Sequence, residues 1–295
     1  MIEAIRQRGL AAQARQRAAA AGAEARKGFA FIERSWYLTK RYAWWELVWV
    51  TYNVVNALSV TFIAAAAEKI TPSIHLTRQE LNQMVMWLII GTSIWSFVSV
   101  VFDNVTETVT IERWEGTIEY TFMAPVSRLT HMFGMCIFAI VHGLLLTVVQ
   151  LVVVSMFFHL DISHANWTAS VVLLIVGSVS FIGLGTMGAG LPLLYTERGA
   201  QMTYIIRAIM LLVSGVYYPV SVLPAVMQPL SAISPATYVL DGLRQAIIQG
   251  RGLGLLWGDI WPLLICGVVS LPVGLTIFRI GERYAKRTGR LKRNG

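Results

Sequence analysis

Charged residues are scarce in this chain. Only 14% of its 295 residues are Asp, Glu, Lys or Arg, while 56% are hydrophobic and the mean hydropathy is +0.60. Soluble globular domains carry about 25% charged residues, so this composition excludes an ordinary soluble protein. It predicts an all-α integral membrane protein.

Cysteine is scarce as well, and short catalytic motifs are missing. The two cysteines, Cys136 and Cys266, lie inside apolar stretches and fit no metal-ligand spacing, so we expect free thiols. The chain has no GxxxxGK[ST] phosphate loop, no HExxH zinc motif and no GxSxG nucleophile elbow. These absences predict no catalytic residue, no cofactor and no metal in this chain.

Ionisable residues are nearly absent from the apolar stretches. Arg207 is the main exception, and we expect it to extend towards the membrane surface from the start of the fifth stretch. A transporter coupled to protons or sodium normally keeps charged residues within its spans, where each costs about 2.5–3.5 kcal/mol to insert. The driving force for any transport is therefore expected to come from a partner protein.

Six apolar stretches are present, at 47–67, 84–102, 132–158, 167–195, 203–218 and 257–280. About 20 residues cross a hydrocarbon layer as a helix, so six spans are predicted, the fifth being short. Of the 24 Lys and Arg, 9 fall in residues 1–43 and 7 in residues 279–295. Because such cations concentrate on the cytoplasmic side of a membrane, both termini are predicted to lie in the cytoplasm. The predicted location is the inner or plasma membrane.

The chain divides into two basic tails and a membrane domain. Residues 1–28 predict a flexible or loosely helical basic tail, residues 29–280 the membrane domain, and residues 281–295 a basic cytoplasmic tail. The tail charges are expected to face anionic lipid rather than nucleic acid. From Phe29 onward, apolar and aromatic residues predict an amphipathic helix in the membrane interface: Phe29, Ile32, Trp36, Tyr42, Trp44, Trp45 and Trp49.

A polar segment, IERWEGTIEYTFMAPVSR at 111–128, interrupts this apolar chain. On one helix over 107–122, the apolar stripe consists of Ile111, Trp114, Ile118 and Phe122. The acids Glu112, Glu115 and Glu119 form a neighbouring stripe. The orientation rule places this segment in the cytoplasm, where anionic lipid would repel the carboxylates. A protein surface with matching cations is therefore the expected neighbour, and an ordinary solvated loop is the alternative.

This segment resembles the one after the second span in permeases of the type-2 ABC exporter family. The resemblance rests on the run from Glu112 to Glu119, followed by Ala124-Pro125-Val126-Ser127-Arg128. In that family the segment is a coupling helix that inserts into a cytoplasmic ATPase subunit. The resemblance implies ATPase-coupling roles for Glu112, Arg113, Glu115, Gly116, Thr117 and Glu119.

A second resemblance lies at 214–249, where prolines recur too often for one uninterrupted spanning helix. Ser234 and Pro235 predict a helix start and Gly250 its end, with one apolar face. The segment resembles the family's re-entrant outer helical hairpin before the last span. Its landmark residues are Pro219, Pro224, Pro235, Tyr238, Asp241 and Arg244, and the last two are expected to pair. Direct substrate contact and simple packing against the bundle are both open.

The fourth stretch carries Gly183, Gly185 and Gly188, which allow either close helix packing or local bending. The resemblance implies a permease that pairs with a second permease subunit, as a homodimer or a heterodimer, and with two ABC ATPase subunits that hold ATP and Mg²⁺. The expected function is export of an amphipathic substrate, with a drug or lipid favoured over a polysaccharide. A polytopic enzyme acting on lipids and an ATP-independent channel or scaffold are the alternatives.

Overall fold

The computed structural model describes residues 2–66, 77–124, 126–158, 162–195 and 198–289, without the side chains of residues 2–21, 78, 128, 129 and 200. Within these ranges the secondary structure is entirely helical, which confirms the all-α prediction. The helices are α1 Ile2–Arg41, α2 Ala43–Ala65, α3 Arg78–Thr106, α4 Thr108–Trp114, α5 Ile118–Met123, α6 Arg128–Ser155, α7 Trp167–Ala189, α8 Leu191–Leu194, α9 Gly199–Val213, α10 Gln228–Ile233, α11 Pro235–Ile248 and α12 Trp257–Thr288, with a 3-10 turn at Val220–Val222.

Five of these segments are long and apolar enough to cross a membrane: Ala43–Ala65, Gln79–Thr106, Thr130–Ser155, Trp167–Leu194 and Trp257–Thr288. The sixth predicted span, 203–218, is not confirmed as a full crossing. Its apolar helix, Gln201–Val213, extends for about 20 Å at 1.5 Å per residue, which is shorter than the hydrocarbon layer. The chain then turns at Gly215, whose φ of +73° suits glycine.

The core surrounds α7, which packs against α3, α11 and α12. Its largest buried side chains include Phe97 and Phe102 of α3, Phe181 of α7 and Leu243 of α11. In contrast, α2 exposes most of its large apolar side chains, and Trp44 is 83% exposed. Such a surface needs lipid or another protein chain around it.

Glycines allow α7 to approach its neighbours closely. A Cβ at Gly183 would lie 2.1 Å from Ser270 Oγ and 2.6 Å from the Ser270 carbonyl carbon of α12. Gly185 faces Val105 of α3, and Gly188 faces Thr106. Helix α7 runs without a break through all three glycines. Their close neighbours show that they lie at packing contacts within the chain.

Substituting Gly183 with alanine is expected to destabilise the bundle by about 1–3 kcal/mol, because the added methyl group has no room beside the α12 backbone. The measurement is thermal unfolding of the purified chain in detergent. Gly258→Ala is the matched control, since a Cβ there meets nothing within 4 Å and alanine favours a helix. Equal unfolding temperatures for the two variants would contradict the packing role.

The N-terminal region differs from the predicted interface helix. Helix α1 runs without interruption to Arg41, and a break at Tyr42 separates it from α2. The tryptophans at 44, 45 and 49 therefore belong to a spanning helix rather than to an interface helix. Helix α1 packs on α6 at Gly134, where a Cβ would lie 2.6 Å from the Gly28 carbonyl oxygen. The basic segment 2–28 is helical in the structure, since it forms the first part of α1.

The C-terminal region also continues a helix. Helix α12 extends past the predicted end of the membrane domain at 280 and stops at Gly289, whose φ is +69°. Glu282 and Ala285, which the sequence analysis assigned to a basic tail, are buried. The last turns of α12 thus contribute to the folded body, and residues 290–295 lie outside the described ranges.

Candidate functional site

The segment at 107–124 forms a helical hairpin between α3 and α6, which we call the coupling hairpin. Gly116, at φ +74°, joins α4 to α5. The Thr117 N–H donates to the Glu112 carbonyl at 2.8 Å, and the Gly116 N–H donates to the Arg113 carbonyl at 3.1 Å. These two bonds form the usual glycine-terminated end of a helix. The prediction of one helix over 107–122 is therefore wrong, because α4 ends before Gly116 and a second helix begins at Ile118.

The break at Gly116 also divides the predicted apolar stripe. Ile118 and Phe122 of α5 are buried and pack in a cluster with Val109, Met132, Ala189, Leu193, Phe278 and Ala285. Ile111 and Trp114 of α4 are exposed instead. The coupling hairpin is therefore held by an apolar core that joins the ends of α6, α7, α8 and α12.

Glu112 is the polar anchor of the coupling hairpin, with only 1% of its surface exposed. Its Oε1 accepts a hydrogen bond from Arg34 Nη1 at 2.9 Å and one from the Thr121 hydroxyl at 3.3 Å. His131 Nε2 lies 3.1 Å from the same oxygen. The carboxylate thus ties α4 to α1, α5 and α6.

The environment of Glu112 favours its charged form. Burial alone raises the pKa of its carboxyl, but the contacts with His131 and Arg34 outweigh burial, so the pKa is lowered below its ordinary value. A lowered pKa means that the ionised carboxylate stabilises the folded hairpin at neutral pH. This contribution is lost only as the pH falls below the ordinary carboxyl range, through the lowered pKa.

Three more of the predicted coupling residues form hydrogen bonds with other residues of this chain. Arg34 Nη2 donates to the Thr117 hydroxyl at 2.7 Å, and Arg113 Nη1 donates to the Pro192 carbonyl at 3.0 Å. The Tyr42 hydroxyl donates to Glu115 Oε1 at 2.8 Å. For Glu112 and Glu115, the expectation that a separate protein supplies the matching cations is therefore wrong. Cations of α1 lie beside both carboxylates, since Arg41 Nη1 is 4.0 Å from Glu115 Oε2.

The opposite side of the coupling hairpin is exposed. Tyr120 and Met123 of α5 are 78% and 77% exposed, and Trp114 of α4 is 62% exposed. Glu119 is half-buried and has no hydrogen bond or ion pair to a described side chain. Pro125 and the Arg128 side chain, which carry part of the family resemblance, lie outside the described parts of the structure. The hairpin thus combines an anchored inner side with an aromatic and apolar outer side.

A second hairpin, residues 214–249, lies against the other half of α3, and we call it the outer hairpin. Helix α11 starts at Pro235 and ends at Ile248, near Gly250 at φ +65°, as expected. Its buried face includes Ala236, Val239, Leu243 and Ala246. Ser234 occupies the N-cap position but makes no capping bond; its hydroxyl lies 2.8 Å from that of Ser214.

The other landmark residues shape the outer hairpin. Pro219 precedes the 3-10 turn at Val220–Val222, and Pro224 follows that turn. The Tyr238 hydroxyl donates to the Ala232 carbonyl at 2.7 Å, which connects α11 to the end of α10. These contacts are all within the chain, and a role in substrate contact stays a prediction.

Arg244 does not mainly pair with Asp241, as had been expected. The two side chains approach to 4.0 Å, and the Asp241 side chain is about half exposed. The buried guanidinium instead donates to the carbonyls of Gly215 at 3.0 Å and Val216 at 2.7 Å, and it lies 3.4 Å from the centre of the Trp87 ring. Gly91 makes room for it, since a Cβ there would lie 2.4 Å from Nη2. Arg244 thus fastens the turn after α9 to α3.

The sequence analysis missed charged residues within the helical bundle. Asp103 of α3 forms an ion pair with Arg207 of α9, and His142 Nε2 of α6 lies 3.4 Å from Glu46 Oε2 of α2. These two pairings were not predicted, and the extension of Arg207 towards the membrane surface stays a prediction. The four-residue spacing of Asp103 and Glu107 on one helix face was the available signal.

Arg34 and His131 were missed as well, because each is far from Glu112 in the sequence. An isolated arginine in a basic segment and an isolated histidine before an apolar stretch carry no distinguishing pattern. Only the packing of α1 against α6 brings both side chains to the coupling hairpin.

Much of this chain is similar in sequence to known proteins. The family model of the ABC-2 type transporter matches residues 29–248, which include both hairpins. Similar proteins include the probable multidrug ABC transporter permease YbhR of Escherichia coli strain K12 and that of Escherichia coli O157:H7, each 21% identical over 169 residues. The match covers 57% of this chain and 45% of each relative, so it spans about half the length of these curated relatives.

The five helices that are long and apolar enough to cross a membrane agree with a family of membrane proteins. Because the family model matches more than half of the chain, the chain belongs to the ABC-2 type transporter family of membrane permeases.

Proposed function

We propose that this chain is the membrane subunit of an ATP-driven exporter that moves an amphipathic substrate out of the cytoplasm or the inner leaflet. A drug or lipid is favoured over a polysaccharide, in line with the names of the YbhR relatives. The transporter contains two permease chains, favoured to be identical, and two ATPase subunits that hold ATP and Mg²⁺. Both termini of the permease are in the cytoplasm, and the membrane is the inner or plasma membrane.

The observation that carries this proposal is the two-sided coupling hairpin. Its inner side is fixed to five helices of the bundle, α1, α6, α7, α8 and α12, through Glu112, Arg113 and the cluster around Phe122. Its outer side presents Trp114, Tyr120 and Met123 to the surroundings. Exposed aromatic residues and methionine are enriched at protein interfaces. A partner that binds the outer side and moves therefore acts directly on α3, α6 and α12.

In this mechanism the predicted coupling residues have two different roles. Four of them position the hairpin through contacts within the chain: Glu112, Arg113, Gly116 and Thr117. Glu119, together with the exposed aromatic side chains, is available to the ATPase. ATP binding closes the two ATPase subunits, and the anchored hairpin transmits that movement to the spanning helices.

Replacing Tyr120 with glutamate is expected to reduce binding of the ABC ATPase at least tenfold. The side chain is exposed, so the permease itself stays folded, while a buried charge at the interface weakens binding. The measurement is the affinity between the purified permease in nanodiscs and its purified ABC ATPase partner, together with ATP-driven transport.

Val226→Glu is the matched control, because Val226 is 87% exposed in the outer hairpin. Its ATPase affinity should equal that of the unchanged chain. A Tyr120→Glu variant with full ATPase affinity and full transport would argue against the proposed coupling surface. So would labelling of a cysteine at position 120 from outside intact cells.

A further inference from the structure

A cavity of about 500 Å³ lies between α2, α3 and α9, with one wall from α6. Sites for drug-sized molecules have volumes of about 300–1,000 Å³, so this cavity is large enough for one such ligand. The α2 side chains that line it, Trp45, Trp49 and Tyr52, are themselves 63%, 45% and 60% exposed, so the cavity is open on this side. Most of the residues that line it belong to α2, α3 and α9, outside the two hairpins.

One wall of the cavity is aromatic. Trp45, Trp49 and Tyr52 of α2 line it, and their rings meet edge to face, with centroids 6.3 Å and 6.1 Å apart. Trp95 of α3 and Tyr217 also line the cavity. The faces of such rings bind both flat apolar groups and cations.

Another wall of the cavity carries more negative than positive charge. Three carboxyl groups line it, from Glu46, Asp103 and Glu107, together with one arginine, Arg207. His142 lines it as well, with its Nε2 3.4 Å from Glu46 Oε2. Arg207 pairs with Asp103, so its charge is largely compensated. Glu107 accepts a hydrogen bond from the Tyr204 hydroxyl at 3.1 Å and has no ion pair among the described residues.

The surroundings of Glu107 favour an incoming cation. Burial raises the pKa of the Glu107 carboxyl, because a charged carboxylate is poorly solvated there. A cationic ligand beside Glu107 would stabilise the ionised form of this carboxyl group. Ser99 also lines the cavity, and its buried hydroxyl has no hydrogen-bond partner among the described residues.

We propose that this cavity selects lipophilic organic cations, with the aromatic wall holding the apolar groups and Glu107 and Glu46 attracting the positive charge. The inference rests on the proposed export function, to which it adds a substrate class. Anionic amphiphiles of the same shape are disfavoured, because three carboxyl groups and one arginine line the cavity.

The test uses two probes of nearly identical shape and opposite charge, tetraphenylphosphonium and tetraphenylborate. Their binding to the full chain in neutral-lipid nanodiscs is measured by calorimetry and by quenching of tryptophan fluorescence. We expect the unchanged chain to bind the phosphonium saturably and at least tenfold more tightly than the borate, after subtraction of binding to nanodiscs that lack protein.

The charge dependence is tested with Glu107→Gln, which keeps the shape of the side chain. We expect at least tenfold weaker phosphonium binding and no loss of borate binding. The matched control is Glu33→Gln on the exposed part of α1, which should bind like the unchanged chain. If Glu107→Gln does not fold, Glu46→Gln carries the same expectation.

Equal binding of the two probes, or phosphonium binding that is unaffected by the glutamine variants, would overturn the proposal. These measurements need neither ATP nor the ATPase, so they are independent of the export function. An assembled, ATP-driven transporter without charge selectivity would refute the substrate class alone. Charge-selective binding without ATP-driven transport would refute export and leave the cavity assignment intact.

Discussion

Replacing Glu112 with alanine is expected to release the coupling hairpin from the bundle. The variant removes the carboxylate that bonds Arg34 and Thr121 and lies beside His131. Breaking a buried ion pair costs about 3–5 kcal/mol, and we expect about 3 kcal/mol here because the Arg34 side chain keeps partial contact with solvent. The loosened hairpin should transmit the movement of the ATPase poorly.

Hydrogen exchange in residues 107–123 of the full chain measures this release. A loss of about 3 kcal/mol in local stability corresponds to roughly a hundredfold faster exchange of amides that open locally. ATP-driven transport should fall at least tenfold, while ATPase binding through the exposed outer side of the hairpin should be largely kept. This combination distinguishes a positioning residue from one that contacts the partner.

Glu33→Gln and Glu112→Gln form a matched pair of substitutions for this test. Glu33 lies on the same helix as Arg34 but is exposed, so its substitution should leave both exchange and transport unchanged. Glu112→Gln keeps the volume and loses the charge, so its effect should lie between those of Glu33→Gln and Glu112→Ala. Normal exchange protection in Glu112→Ala would show that the apolar cluster alone holds the hairpin.

Replacing Arg244 with alanine is expected to unfold the outer hairpin. The change leaves the buried carbonyls of Gly215 and Val216 without their donors and removes the stacking on Trp87. Each hydrogen bond from a charged group contributes about 1.5–3 kcal/mol, so a total loss of about 4 kcal/mol or more is expected. The measurement is thermal unfolding of the purified chain, with limited proteolysis at 214–235.

Arg244→Lys should recover part of this stability, since lysine keeps the charge but lacks the planar fork that reaches both carbonyls. Arg251→Ala is the control, because Arg251 is exposed and lies just beyond the end of α11, where it donates a hydrogen bond to Gln245. If Arg244→Ala unfolds at the same temperature as Arg251→Ala, the proposed fastening of the hairpin to α3 is wrong.

The features that could be predicted depend on local patterns. Long apolar stretches identified five spanning helices, because a spanning helix must be apolar along its whole length. Pro235 and Gly250 marked the limits of α11, because proline favours a first turn and glycine favours the left-handed conformation beyond a helix end. The sixth span failed this rule, because its apolar stretch includes the turn at Gly215.

The coupling hairpin shows where pattern analysis stops. Placing Glu112, Glu115 and Glu119 on one helix assumed that Gly116 continues the helix, whereas its positive φ ends α4. The acids therefore face different neighbours, and Glu112 points into the protein. A helical wheel cannot show this, since the direction of each side chain changes at the break.

The amino-acid sequence by itself determined that this is a helical membrane protein of the ABC-2 type, because apolar length and short motifs are local properties. Tertiary structure alone decided which charges meet. Arg34 reaches Glu112, and Arg207 reaches Asp103, across 78 and 104 positions of the chain. The physical reason is that a buried charge needs a partner close in space, and only helix packing sets which residue that is.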